Sequence, residues 1–169
     1  FLEAGLTQQD RSRLQATFKN VGVYNPVKIF PPIEIIETEA KFDFCDPELN
    51  IHLKNGSQYL GIHLESAAES PARPILISEA LQKVAEYISA HRTRPPLDGV
   101  IGITYEKLAA ASRRYGFHTS NVQLPDEIKK RYWSISQEEY GKTTLDLGDI
   151  LLCYQSYDDL IKRFATKCS

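Results

Sequence analysis

Several side chains able to move protons lie close together in one short stretch of the chain, residues 50–65. His52, Tyr59, His63 and Glu65 all fall within it. An imidazole or a carboxylate can act as a general base and a phenol as a general acid, provided that each lies within hydrogen-bond reach of the reacting group. This stretch is therefore the first candidate for a site of acid–base chemistry.

The element that must position these groups is predicted to be a β-hairpin. Asn55-Gly56 is the strongest short hairpin signal, because a type I′ turn needs positive φ at both central residues. A two-residue loop would place His52 opposite Tyr59. Since side chains alternate across a strand, the hairpin would have an apolar face (Ile51, Leu53, Leu60, Ile62, Leu64) and a polar face (His52, Tyr59, Gly61, His63, Glu65).

The polar face has two other interpretations. It could be solvated or covered by a helix, with each histidine hydrogen-bonded locally. Two histidines and a carboxylate are also metal-ligand types, but the predicted pairing separates His52 from His63 along the strand. We therefore expect no metal site. A row of acidic residues on the preceding strand fits either a solvated face or a substrate-binding surface: Glu34, Glu37, Glu39 and Asp43.

The basic residues form three small groups: Arg92 with Arg94, Arg113 with Arg114, and residues 129–131, the last next to Tyr132 and Trp133. Such groups could contact phosphate, and the aromatic rings could stack on bases. Charged helix ends and solvated loops explain them equally well. The net charge of −2 also argues against a surface built for nucleic acid, so we expect a small-molecule or a protein partner instead.

Length and composition indicate a single globular α+β domain over residues 1–169. Apolar residues make up 42% and charged residues 25%, which is ordinary for a globular protein. No apolar run approaches the ~20 residues of a membrane span, so no membrane association is expected. Three scattered cysteines suggest thiols in a reducing compartment and a cytoplasmic location. The oligomeric state is left open.

The rest of the chain alternates between predicted helices and strands. Helices are predicted over 6–20, over 79–91 behind a Ser78 cap, over 105–115 behind a Thr104 cap, and after Ser156, whose hydroxyl would cap with Asp159. Gly116 is predicted to end the third of these helices in a left-handed conformation. Strands are predicted over 33–44, 99–104 and 149–154. The order favours a central, mostly antiparallel sheet flanked by helices.

Residues 99–117 form a strand and a helix that ends in Tyr-Gly-Phe, and this segment resembles the second half of the GNAT-type N-acetyltransferase fold. The resemblance covers roughly residues 7–155. It implies a GNAT-like topology, acyl-CoA as the cofactor and acyl transfer as the activity.

The chain departs from that family at two points. The family binds the acyl-CoA pyrophosphate on a glycine-containing loop at a helix start, whereas residues 70–78 here contain two prolines and no glycine. Arg73 and Ser78 remain as candidates to contact phosphate. Many members also carry a tyrosine general acid four residues before the glycine, where this chain has Ser112; Tyr115 lies nearby in sequence.

Two functions fit the sequence. The first is a divergent acyltransferase-like enzyme, acyl-CoA dependent, with His63 or Glu65 as base and Tyr59 or Tyr115 as acid. The second is a non-catalytic binding or regulatory module that keeps the fold without the cofactor site, with Tyr132 and Trp133 as interface anchors. An open gap between the strand that ends near Glu65 and strand 99–104 would favour the first. A closed sheet with exposed aromatic residues would favour the second.

Overall fold

A computed structural model of the chain describes residues 23–30, 32–64, 73–90, 98–140 and 148–165. They form an α+β structure in which helices flank a six-stranded mixed sheet, with a separate two-stranded sheet beside it. The strands are β1 (Val23–Phe30), β2 (Ile33–Glu39), β3 (Phe44–Asp46), β4 (Ile51–Leu53), β5 (Gln58–Leu64), β6 (Gly99–Tyr105), β7 (His118–Thr119) and β8 (Ile150–Ser156). The helices are α1 (Arg73–Ala90), α2 (Glu106–Ser112), α3 (Asp126–Tyr140) and α4 (Tyr157–Phe164), with a 3₁₀ turn at Arg113–Tyr115.

The large sheet has the strand order β1-β2-β5-β6-β8-β7. Neighbouring strands are antiparallel except for β5 and β6, which are parallel. A parallel neighbour needs a long crossover connection, and α1 lies in the segment that joins β5 to β6. The expected α+β class and the mostly antiparallel sheet are therefore confirmed, with one parallel pair at the centre.

Both faces of this sheet are buried. On the face we call the helical face, Leu60 and Val100 belong to a core cluster with α1, Ala109 of α2 and Leu160 of α4. On the opposite face, the hairpin face, Tyr59 and Ile101 belong to a second cluster with residues of β3 and β4. Since consecutive residues alternate between the two clusters, the strands are covered on both sides.

The predicted pairing of β4 with β5 is wrong, although a turn does form at Asn55-Gly56. The N–H of Ser57 donates to the carbonyl of Lys54 at 2.9 Å, which closes a four-residue turn. Gly56 has φ +90°, but Asn55 does not have positive φ. A type I′ turn needs both residues in the left-handed region. This turn therefore does not direct β4 back onto β5; β4 pairs with β3, and β5 pairs with β2.

Three other boundaries differ from prediction. The predicted strand 33–44 is divided into β2 and β3. Helix α1 begins at Arg73, six residues before the predicted start, so Ser78 lies inside the helix and is not its cap. Helix α2 begins at Glu106, with Tyr105 and not Thr104 at the cap position.

The helix predicted over 6–20 lies outside the described residues. Within the described part of the chain, no helix combines the length and apolar character needed to cross a membrane.

Candidate active site between two parallel strands

The central parallel strands are joined along only part of their length. Register pairs link Leu60 with Val100 and Gly61 with Ile101. Among the described residues of the two strands, no further pair joins β5 to β6, although β5 continues to Leu64 and β6 to Tyr105. We call the space beyond the last pair, between Ile62–His63 and Gly102–Thr104, the strand gap.

The residues of β5 and β6 become more exposed to solvent at the start of the strand gap. Before it, Tyr59 and Leu60 of β5 and Val100 and Ile101 of β6 are buried. At the gap, residues on both strands become partly exposed: Gly61, Ile62, His63, Gly102, Ile103 and Thr104. Strands at the centre of a sheet covered on both faces are normally buried throughout. The joint change on both strands indicates an opening at the middle of the sheet.

Gly102 stands at the narrow end of this opening. A Cβ atom added there would lie 3.2 Å from Ile62 Cγ2 and 3.5 Å from the carbonyl oxygen of Ile62. The first distance is shorter than the usual 3.5–4.0 Å contact between carbon atoms. A side chain at position 102 would therefore push against β5 where the strands begin to part. At Gly61, a Cβ would meet its neighbours at 3.7–3.8 Å, which is ordinary contact.

Two ionisable residues lie directly opposite each other beside the strand gap. Glu34 of β2 is the register partner of His63 of β5, so both side chains point to the same face, with Cβ atoms about 5 Å apart. Glu34 is fully buried. The protein surrounding the His63 ring lowers its pKa from 6.5 to about 4, because burial disfavours the charged imidazolium. His63 is therefore neutral at pH 7 and has a lone pair that can accept a proton.

Tyr59 lies four residues before His63 on the same strand and hence on the same face. It is the register partner of Thr38, with which its side chain is hydrogen-bonded. Burial raises the pKa of Tyr59 to about 12 and this hydrogen bond lowers it slightly. The phenol therefore stays protonated at neutral pH. Gly61, which lies between Tyr59 and His63, leaves the space between the two rings free of a side chain on its own strand.

Two predicted catalytic residues lie elsewhere. His52 is exposed on β4, in the small sheet, and its Nε2 atom is 3.6 Å from the Sγ atom of Cys45. It does not face Tyr59, because β4 and β5 do not pair. Tyr115 packs against the helical-face core, and its carbonyl accepts a hydrogen bond from Gln155 at 3.3 Å. It is therefore on the opposite side of the sheet from His63.

The predicted phosphate contacts are separated along α1. Arg73 is the first residue of the helix. Ser78 is exposed on its second turn, where its backbone N–H belongs to the helical hydrogen-bond pattern and only its hydroxyl is available. Glu65 lies outside the described residues. His63 and Tyr59 are thus the two predicted catalytic residues that lie on one face of β5, four residues or ~13 Å apart along the strand.

Sequence reasoning missed Glu34 and Gly102. Glu34 was grouped with a row of acidic residues, but the run Ile33-Glu34-Ile35-Ile36 is itself a signal, because a strand covered on both faces has no solvated side for its glutamate. Gly102 was treated as part of an apolar strand. An isolated glycine inside a strand often marks a close approach of another backbone or a ligand.

Within the part of the chain that the structure describes, no group of three or more His, Cys, Asp or Glu residues could hold a metal ion. A search against protein-family models, against curated proteins and against solved structures gave no match to this chain.

Proposed function

We propose that the protein binds an acyl-CoA in the strand gap and transfers its acyl group to a small acceptor. The observation that carries this proposal is that the register pairing of β5 with β6 ends after two pairs. Parted strands expose backbone N–H and C=O groups that a neighbouring strand would otherwise occupy. An extended arm containing amides, such as the pantetheine of coenzyme A, can hydrogen-bond to them as an added strand would.

The order of elements around the gap supports the proposal. The sheet places three antiparallel neighbours, β1, β2 and β5, before the crossover helix α1 and the parallel strand β6. The resemblance to the GNAT-type fold rests on three antiparallel strands before a helix and a further strand. Those three strands were predicted as 33–44 and the two strands of the hairpin in residues 50–65, whereas the three neighbours here are β1, β2 and β5, with the β3–β4 hairpin between β2 and β5 in the chain. The resemblance assigns the acyl-CoA to the β5–α1–β6 unit. Contact between its phosphates and Arg73 or Ser78 remains a prediction of this proposal.

Beside the gap, the pair of Glu34 and His63 supplies a proton acceptor. In acyl transfer, the acceptor's nucleophilic atom attacks the thioester carbonyl and loses a proton, while the carbon–sulfur bond breaks and the departing thiolate gains one. His63 is neutral at pH 7 and takes the first proton. Glu34, opposite it on β2, orients the ring and stabilises the imidazolium that forms.

The general acid does not come from the position that is usual in the family. Ser112 stands there, and its hydroxyl donates to the carbonyl of Ala109 at 2.6 Å and lies 3.8 Å from Cys153 Sγ. Tyr59 is the phenol closest to His63 along the strand, and it is protonated over the whole neutral range. We assign to it the proton that the leaving thiolate takes up.

The test is a binding titration with free CoA and acetyl-CoA, followed by calorimetry and thermal unfolding. A ligand at ~100 times its dissociation constant should stabilise the native state by ~2.7 kcal/mol, which raises the Tm by several degrees for a domain of this size. Gly102→Ala should weaken binding about tenfold, or ~1.4 kcal/mol, because its methyl group enters the narrow end of the gap. Gly61→Ala is the matched control, since its methyl group has ordinary space.

Binding and chemistry are then separated by one further variant. His63→Gln should bind acetyl-CoA as the wild type does but fail to release CoA in the presence of amine acceptors. Gln is close in size and can still hydrogen-bond, yet it cannot take a proton. The absence of any thermal shift at millimolar CoA, or equal binding by the Gly102→Ala and Gly61→Ala proteins, would refute the acyl-CoA site.

A second candidate function is a binding module that recognises another protein through α3. The observation that favours it is Trp133, a large aromatic residue that is 45% exposed. Tyr132 beside it is partly buried and packs on the hairpin-face core, so the Trp133 ring is carried by a fixed helix. If CoA does not bind, affinity capture from cell extract tests this alternative by comparing the Trp133→Ala protein with the wild type. Ser134→Ala, at the neighbouring exposed position of α3, is the control.

A further inference from the structure

A cysteine and a histidine form an exposed pair on the small β3–β4 sheet. Cys45 and His52 are register partners, and the distance from Cys45 Sγ to His52 Nε2 is 3.6 Å, within hydrogen-bond range for sulfur. Both side chains are exposed. Neither belongs to the candidate active site, and no step proposed above uses them.

The hairpin that carries the pair is held firmly from its other side. Phe44 and Ile51, the neighbours of Cys45 and His52 in sequence, are buried in the hairpin-face core. The buried carboxylate of Asp46 accepts hydrogen bonds from the hydroxyl of Ser120 at 2.5 Å and from the N–H of Glu48 at 3.0 Å. Because alternate residues are anchored inward, Cys45 and His52 are both directed to solvent.

The charged groups around this pair are few. By alternation, Asp43 and Lys54 flank it on the outer side of the hairpin, and both are exposed. The Asp43 carboxylate accepts the N–H of Asn55 at 2.8 Å, so it is directed to the turn. The core contacts of the hairpin all involve its inner side. His52 is therefore the proton acceptor nearest the thiol among the described residues.

The second described cysteine provides a contrast within the same chain. Cys153 is buried in the helical-face core. Burial raises the pKa of its thiol, with smaller opposing contributions from its hydrogen bonds to Ser112 and Thr119. Since the thiolate is the nucleophile, and no reagent of ordinary size reaches it, Cys153 is expected to be inert. Exposure and a basic neighbour are properties of Cys45 alone of these two.

We propose that Cys45 is a thiol–disulfide exchange site for low-mass disulfides, with His52 as its base. Nε2 of His52 removes the thiol proton as Cys45 Sγ attacks one sulfur of the disulfide. A new sulfur–sulfur bond forms, the original one breaks, and the departing thiolate takes the proton from His52. The reaction converts a thiol and a disulfide into a mixed disulfide and a new thiol, so it needs no other oxidant.

The probe is glutathione disulfide, and the readout is the rate of modification at each cysteine, measured by quenched alkylation and peptide mass spectrometry. In the wild type, Cys45 should be modified first and Cys153 should remain free. His52→Asn should slow modification of Cys45 about tenfold. A well-positioned general base accelerates a reaction by at least ~100-fold. The expected effect of His52 is smaller, because the pair is exposed and the contact is long. Lys54→Gln is the matched control and should react as the wild type does, since it removes a neighbouring charge but no base.

Free imidazole distinguishes a chemical role of His52 from a structural one. It should restore the rate at Cys45 in the His52→Asn protein and leave the wild-type rate almost unchanged, because only the variant lacks a base. A hairpin loosened by the substitution would not be rescued in this way. The proposal fails if Cys45 reacts equally fast in the wild type and His52→Asn proteins, if imidazole gives no rescue, or if glutathione disulfide leaves Cys45 unmodified.

Discussion

The half-buried histidine beside the strand gap, His63, should make the stability of the protein depend on pH in the range 4–6.5. In the native state, burial lowers the pKa of His63 to about 4, whereas an unfolded histidine titrates near 6.5. As the pH falls below 6.5, the unfolded chain takes up a proton at this position that the native protein does not. Protonation therefore stabilises the unfolded state, and the native state loses stability until the pH reaches about 4.

The expected size of this effect follows from the two pKa values. The difference of about 2.5 pKa units corresponds to about 3 kcal/mol once the pH is below both values. At pH 5, the unfolded form is almost fully protonated and the native form is still mostly neutral, so about 2 kcal/mol has been lost. Above pH 7.5, both forms are neutral and His63 contributes no pH dependence.

Urea unfolding at pH 7.5, 6 and 5 measures this loss directly. Compared with the wild type, His63→Gln should lose about 2 kcal/mol less between pH 7.5 and 5, because it lacks the titrating group. His52→Gln is the control, because His52 is exposed, and it should follow the wild-type profile. In the NMR spectrum, the ring proton resonances of His63 should titrate near pH 4. A midpoint near 6.5, or the same pH profile in the His63→Gln and wild-type proteins, would refute the burial of His63.

Three further substitutions test other parts of the structure by urea unfolding at pH 7.5. Gly116→Ala should destabilise the protein by about 2 kcal/mol, because φ is +90° there and the new Cβ would lie 2.6 Å from Gln155 Nε2; an unchanged midpoint would contradict the left-handed conformation. Ser156→Ala should lose about 1 kcal/mol, because its hydroxyl accepts the N–H of Asp159 at 3.1 Å and caps α4, and Ser156→Asp should recover most of that loss. Trp133→Ala should change stability by less than about 0.5 kcal/mol, as for an exposed surface residue, and a larger loss would mean that the ring is packed.

Structural features that depend only on neighbouring residues could be predicted from the sequence. Gly116 was expected to end its helix in a left-handed conformation, and it has φ +90°. Ser156 was expected to cap the last helix, and its hydroxyl accepts the expected N–H. Both depend on residues within four positions of each other, so no distant contact could change the outcome.

Predictions of strand pairing were less reliable, because the pairing also depends on contacts with strands that are distant in sequence. Asn55-Gly56 predicted a hairpin, but the second half of the turn is bonded to Ala40, just after β2. The N–H of Gly56 donates to the carbonyl of Ala40, and the N–H of Ala40 donates to that of Ser57, each at 2.8 Å. These long-range bonds place β5 beside β2 and leave β4 to pair with β3. The local sequence does not contain this information.

Two elements, β1 and α3, were missed in the sequence. Strand β1 contains Asn25-Pro26, a turn signal, yet it forms an edge strand whose register shifts on both sides of these residues; an edge position tolerates a proline that cannot donate to a neighbour. Helix α3 was not predicted, although Pro125 and Asp126 supply a helix start. Of the candidate site, His63 and Tyr59 were predicted together, but Glu34 was missed, although the apolar residues around it, Ile33, Ile35 and Ile36, are the signal of a strand covered on both faces.

The short junction between β5 and β6 also divides the sheet into two halves. Strands β1, β2 and β5 pair along most of their lengths, as do β6 and β8, but the halves share only the pairs at Leu60 and Gly61. Regions that open cooperatively usually coincide with such divisions of a structure. Amide hydrogen exchange should therefore give different free energies of opening for the two halves. A molecule bound across both strands would join them, and the native protein would then open as one unit.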